Sequence, residues 1–357
     1  MKKNRIIFFV IIGVALAIVA VSLLTNRGTN QVTGLVGSEK EAFFEDARVQ
    51  KALLSHGLDV TVQKAGSREI ATSFDLSQYD FAFPAGAPAA EKIQRETGKS
   101  EAFTPFFTPM AIASWKPIAD LLVQQGIAED QGGYYTVDMD ALLPLIQSET
   151  RWKDIPNNSV FPANKSVLIT TTDVRKSNSA ALYLALMSYV ANGDNIVQSM
   201  DQAQPLLPLL TNMFLRQGLR PSSSQEPFED YLVKGMGLSP AVMIYEAQFI
   251  AQAARGDGSI QPDMVLMYPV PNIFTKHVFI PLSAAADKLA EALTTDPELQ
   301  KLAIEYGFRN DNLAYFREFT TDHGVTLPES FVDVIDPPNY EVLEGMIQTI
   351  EQAYQQP

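Results

Sequence analysis

The chain has no cysteine among its 357 residues. That excludes disulfides, thiolate metal sites and a lipid-modified cysteine behind a signal sequence. It leaves the compartment open, because a core of this size needs no disulfide staples. Histidine is almost as scarce: His56, His277 and His323 are the only three, too far apart for a short metal-ligand motif. Basic residues are outnumbered, with 27 Lys and Arg against 41 Asp and Glu and a formal net charge of −14. This balance lacks the basic footprint of a nucleic-acid binder and disfavours broad adhesion to an anionic membrane surface. Enzyme signatures are missing too: no G-x-S-x-G elbow, H-E-x-x-H helix, Walker loop or G-x-G-x-x-G turn occurs. The sequence therefore reads as non-catalytic, with no cofactor and no metal.

What is present begins with a long apolar run. Lys2, Lys3 and Arg5 precede an uncharged stretch over residues 6–24. The run is long enough to span a bilayer, and "VSLLTNRG" after it offers no persuasive cleavage site. Basic residues before the run favour a cytoplasmic N-terminus. The expectation is a signal anchor over residues 1–30, single-pass in the cell membrane, with the bulk of the chain extracytoplasmic. The alternative is a cleaved signal that releases a secreted or periplasmic protein.

Beyond a short linker the pattern is α/β. "VTGLVGS", "LDVTVQKAGS" and "YDFAFPAG" read as strands, separated by the helix-like "EKEAFFEDARVQKALLSHG" and followed by "PAAEKIQRETG". Alternating strands and helices imply an α/β sheet. The middle is helix-rich: "KPIADLLVQQG", "DMDALLPLIQ" and "PLLPLLTNMFLRQG" show helical periodicity, and residues 166–170 read as a strand feeding a helix near Ser177. "AVMIY" reads as a buried strand at residues 241–245. Two proline-broken extended stretches, residues 103–115 and 264–281, flank this middle. A chain that leaves one lobe, builds a second and returns would need two such crossings, with a hinge between rigid bodies. The expected domains are residues 31–110 with 268–357 as lobe 1, and 111–267 as lobe 2. The last helix, "YEVLEGMIQTIEQAY", places Val342, Met346 and Ile350 on one face.

The order of these segments resembles the extracytoplasmic solute-binding proteins of bacterial transport systems, in the group with two crossover strands. "PFFTPMAIASW" is similar to the first crossover, "VLITTTDVRKSNSAALYLAL" to the strand, polar turn and Ser-rich helix start that face the ligand, and "AVMIYEAQF" to the late strand that re-enters the cleft. "MVLMYPVPNIFTKHVFIPL" is similar to the return crossover. The resemblance implies two α/β lobes joined by two extended crossover segments, here preceded by a transmembrane helix. Segments beyond residue 311 are not a generic part of that family, and the usual lipid-modified cysteine is absent.

Candidate ligand-binding residues follow from strand ends and helix starts, where unpaired backbone N–H groups and the helix dipole favour negative charge. They are Ser38, Ser67, Arg68, Ser177, Asn178, Ser179, Tyr245 and Glu246. Two readings stand at "DVRKSNSAAL". Ser177 or Asn178 caps a helix, or the turn holds an anion that also explains Arg175 and Lys176 just before it. Arg68 offers a planar fork for carboxylate or phosphate, or pairs with nearby Glu69 or Asp46. Tyr245 stacks on a ligand or packs in the core, and Glu246 accepts from a ligand or caps a helix. Gly86 reads as turn chemistry or as a close backbone approach to a ligand, and Trp115 as a core or hinge residue rather than a pocket wall. The function expected from all this is a membrane-anchored module that closes over a small polar or anionic ligand and presents it to a transporter permease or a sensor. The alternative is a cell-envelope interaction or scaffold protein that keeps the bilobal fold without binding ligand; a cleft plugged by side chains or by the segment after residue 311 would favour it.

Overall fold

The computed structural model describes residues 29–218 and 221–355. The expected anchor over residues 6–24 lies outside them. Among the described residues, no helix is long and apolar enough to cross a membrane.

Ten strands are found among the described residues: β1 (Asn30–Val36), β2 (Leu58–Lys64), β3 (Phe81–Phe83), β4 (Phe103–Trp115), β5 (Ala128–Asp130), β6 (Tyr135–Asp138), β7 (Ala241–Tyr245), β8 (Met264–Val270), β9 (Asn272–Pro281) and β10 (Val334–Ile335). They run in the order β2-β1-β3-β9-β4-β8-β6-β5, with β7 on β4 and β10 on β9. In the first lobe β1 is parallel to both β2 and β3, the expected product of strand-helix-strand units whose helices cover the sheet faces. Its core is strongly aromatic, with Phe43, Phe44, Phe81, Phe83, Phe106, Phe279 and Phe308 all buried. The second lobe surrounds β4, β7 and β8 with helices, of which Asn178–Ala191 is buried almost all round.

Both predicted crossovers are strands. β4 runs antiparallel to β9 from Phe103 to Pro109, then to β8 from Ile112 to Trp115. Pro105 lies where its register to β9 shifts, between Phe103 and Phe106; proline has no N–H to give to the ladder. The two lobes are thus joined by one hydrogen-bonded ribbon of β4 against β8 and β9.

Three local readings need correction. Residues 166–170 form no regular strand; they bend at Val167 and make only single bridges, from Ser166 to Arg151 and from Thr170 to Val242. The helix read through "EKEAFFEDARVQ" breaks at Asp46, whose carboxylate accepts from the Arg48 N–H at 2.7 Å and starts a new helix, Ala47–Ser55. The segment beyond residue 311, read as part of lobe 1, packs its apolar side on lobe 2: Phe316, Val342, Leu343, Met346, Ile347 and Ile350 belong to the second lobe's core.

Candidate functional site

The ends of β1, β2 and β3 in the first lobe meet the N-terminus of the Asn178–Ala191 helix and the end of β7 in the second. Two glycines permit the approach. A Cβ on Gly86 would lie 2.2 Å from Asn178 Oδ1, and one on Gly66 would lie 2.5 Å from the Lys176 carbonyl oxygen. The lobes are therefore in contact along this seam.

The polar residues of "KSNSAAL" are drawn into the seam. Ser177 stands at the N-cap in extended conformation but makes no side-chain cap hydrogen bond. Its Oγ lies 2.9 Å from Ser179 Oγ, which in turn lies 2.8 Å from Thr172 Oγ1. Asn178 Nδ2 donates to the Ala85 carbonyl at 2.9 Å and to Tyr245 Oη at 3.1 Å, tying the helix start to both β3 and β7. Ser67 opens the short Ser67–Thr72 helix rather than lying in a turn, and its Oγ accepts from the Ala85 N–H at 2.8 Å. Ser38 Oγ reaches Ser223 Oγ across the seam at 3.2 Å. Burial pushes the Tyr245 hydroxyl upward, so it stays protonated as a neutral hydrogen-bonding group.

Two predicted residues are fully engaged elsewhere. Arg68 does face the opposite lobe, where its Nη1 donates to the Arg175 carbonyl at 2.7 Å. Its fork, however, is held by Glu344 at 2.9 and 2.5 Å, neither of the partners read from sequence. Glu246 is buried and accepts from Arg309 Nε at 2.7 Å, Arg309 Nη2 at 2.8 Å and Tyr268 Oη at 2.6 Å. Arg175, read as long-range attraction for an anion, is clamped by Asp173. Trp115 is core, its Nε1 donating to the Ser239 carbonyl.

Sequence reading missed the charged centre of the seam. Lys40 is completely buried. Its ammonium pairs with Glu39, lies 3.0 Å from His277 Nδ1 and sits 4.9 Å from the centroid of the Phe83 ring. Nδ1 of His277 also lies 3.4 Å from the Glu39 carboxylate, so it faces both members of the pair, and the other ring nitrogen is Nε2. That Nε2 is buried and has no partner, among the rings of Phe83, Phe106, Tyr245 and Phe308. The His277 imidazole is lowered to about 4, by burial first and by the neighbouring Lys40 charge second, against the pull of Glu39. Burial also lowers Lys40, opposed by Glu39. Burial alone would raise Glu39, but Lys40 and His277 outweigh it and hold the carboxyl well below its usual range. The centre is thus an ion pair beside a neutral imidazole.

The missed residues had a signal. Lys40, Phe43 and Phe44 fall at i, i+3 and i+4, one helical face. In β9, Thr275, His277 and Phe279 are buried while Phe274, Lys276 and Val278 are less so, the period of two that turns His277 inward.

A cavity of about 540 Å³ opens along the same seam. Ser38, Glu39 and Tyr306 line it from one lobe, and Gln225, Gln248 and Arg255 from the other. A second cavity of about 430 Å³, beside Gly133, Gln252 and Thr326, lies away from the strand ends. Among the described residues no group of three or more His, Asp or Glu side chains could hold a metal ion.

No protein-family model and no curated protein sequence matches the chain. Solved structures do. The periplasmic binding protein AfuA from Actinobacillus pleuropneumoniae, with fructose-6-phosphate bound, superposes with a TM-score of 0.55 at 12% identity, over 92% of this chain and 99% of that one. Iron-bound HitA from Pseudomonas aeruginosa gives 0.54 at 12% identity, over 91% and 99%. The sulfate-binding protein SubI from Mycobacterium tuberculosis H37Rv gives 0.51 at 16% identity, again over 91% and 99%. The chain has the bilobed solute-binding-protein fold. In this solute-binding fold the seam is the interlobe cleft, and the β4, β8 and β9 ribbon is the connection between its lobes.

Proposed function

We propose that this chain is an extracytoplasmic solute-binding protein, tethered through residues 6–24, which closes its two lobes on a small polar or anionic ligand. It acts without catalysis and hands the closed form to a transporter permease or a sensor. The observation that carries this reading is the convergence of Ser67, Ser177, Asn178, Ser179 and Tyr245 on one interlobe seam. Hydroxyls, an amide and the dipole of a buried 14-residue helix meet there, a donor-rich setting for an electronegative group. Arg68 and Glu246 support the seam rather than meeting the ligand first, because their charges are already neutralised by Glu344 and Arg309, and Ser38 bonds Ser223 across it.

A test separates site from scaffold. Ser177 makes no side-chain cap bond but bonds Ser179, which bonds Thr172, so Ser177→Ala and Ser179→Ala should each cost about 1–3 kcal/mol of stability whether or not the seam binds a solute. Loss of a hydroxyl that bonds a charged ligand group should weaken affinity by roughly ten- to a hundredfold. Melting temperature and calorimetric affinity are measured together on a ligand found by thermal-shift screening. Lower melting with unchanged affinity sinks the site. For the tether, terminal sequencing of native protein that found a start within residues 26–31 would rule out the anchor.

A second reading has an observation of its own. The seam centre is filled by Lys40, Glu39 and His277, and Asn178 bonds the opposite lobe directly. A bilobal interaction protein of the cell envelope, permanently closed and empty of solute, would look like this. Failure of every screened solute to raise the melting temperature, together with lobes that stay closed, favours it.

A further inference from the structure

The last helix, Tyr340–Gln355, lies across both lobes. Its apolar face is sunk into the second: Val342, Leu343, Met346, Ile347 and Ile350 join that core, and Tyr354 Oη donates to the Phe214 carbonyl at 3.0 Å. The fit is close enough that a Cβ on Gly345 would lie 2.5 Å from Met200 Sδ. The acidic edge of the same helix reaches the first lobe. Glu344 takes the Arg68 fork with two hydrogen bonds, Glu351 stands 3.9 Å from the same guanidinium, and Glu341 pairs with Arg95. Lys92 lies 5.5 Å from the centroid of the Tyr340 ring. Arg68, Lys92 and Arg95 belong to helices of the first lobe, Ser67–Thr72 and Ala87–Thr97, which pack on β1 and β9.

We infer that this helix is a clasp: it rides on the second lobe and holds the first closed through the Arg68 and Glu344 pair. The chemistry divides the labour. Arg68 and Glu344 are both largely shielded from solvent, at 24% and 12% side-chain exposure, and form a bidentate, charge-assisted pair. Arg95 and Glu341 are both more than half exposed, so salt screens them. Separation of the lobes must break the first pair and strip Arg68 from the Arg175 carbonyl at the same time. The apolar face stays where it is, so release gives up the contacts with the first lobe and leaves the helix folded. The closed state is thereby favoured before any ligand arrives, by as much as the pair differs in strength between closed and open forms. The inference does not depend on which solute the seam takes, or on whether it takes one.

The absence of cysteine makes the test clean. Labels at Lys99→Cys and Gln124→Cys, exposed positions in the first and second lobes, report the interlobe distance in the full chain by pulsed electron spin resonance. The parent protein gives one short distance. Arg68→Glu and Glu344→Arg each add a longer population, with the open-to-closed ratio raised about tenfold or more. The swapped pair Arg68→Glu with Glu344→Arg returns the short distance. Glu344→Gln, which keeps the helix and removes only the charge, gives the same opening if a reversal folds poorly. An unchanged distance in Glu344→Gln, or opening that the swap does not reverse, overturns the clasp.

Discussion

Two buried ion clusters sit on either side of the β4 ribbon, and they are built differently. Beside Phe107 in the middle of β4, Arg309 and Glu246 form a two-bond pair, Tyr268 donates to the same carboxylate, and Arg309 Nη2 reaches the Pro328 carbonyl at 3.2 Å. The Phe316 ring stacks on the guanidinium, its centroid 4.5 Å away. In the seam, Lys40 and His277 are fully buried and the Glu39 carboxylate nearly so, yet His277 Nε2 has no partner. A buried network with its charged pair fully bonded fixes one structure; one with an unpartnered ring nitrogen is incompletely satisfied. The first cluster is a staple between β7, β8 and the segment after residue 311. The second is the place where a change of protonation would be felt in the interlobe seam.

The contrast can be broken experimentally. The largest effect should come from Arg309→Met, which strands the buried Glu246 carboxylate and costs about 3–5 kcal/mol in denaturant unfolding. Next is acid. His277 falls from an ordinary value of 6.5 to about 4 on folding. Between those values the unfolded chain binds a proton that the native seam refuses, so stability is complete above about pH 6.5 and is lost as pH falls toward 4. The loss amounts to up to about 3 kcal/mol. Glu39, also lowered on folding, adds loss in the same direction at lower pH. His277→Gln should remove the step between pH 6.5 and 4 from the melting profile.

Lys40→Met should cost less than Arg309→Met, about 1–3 kcal/mol, because His277 can take up a proton beside the orphaned Glu39. A rise of the His277 titration midpoint by nuclear magnetic resonance checks this, and an unchanged midpoint would mean that Lys40 does not control the imidazole. The smallest effect belongs to Arg95→Gln, whose exposed partner Glu341 is screened at physiological salt; its melting temperature should match the parent within error.

Much of the architecture could be read before the fold was seen. Residues 103–115 and 264–281 announced themselves as crossings because long apolar runs broken by proline suit extended chain between two bodies. Tyr245 and Ser177 were placed correctly at a strand end and a helix start, since local pattern determines both. Residues 166–170 misled because five apolar-leaning residues look like a strand whether or not a neighbour pairs along their whole length. What stayed illegible is tertiary. Arg68 and Glu344 are 276 residues apart, and Lys40 and His277 are 237. Glu69 and Asp46 were the natural sequence partners for Arg68, but the end helix brought Glu344 closer. Its apolar stripe was plain, but which lobe it would cover was not, because periodicity names a buried face and never the surface that buries it.

Native mass spectrometry of the full-length protein purified from its own host tests solute binding most directly. A solute-binding seam predicts a population heavier than the bare chain by one small molecule, lost when Ser177→Ala and Ser179→Ala are combined. A parent protein found only at its bare mass, or an adduct that survives both substitutions undiminished, would contradict binding at this site.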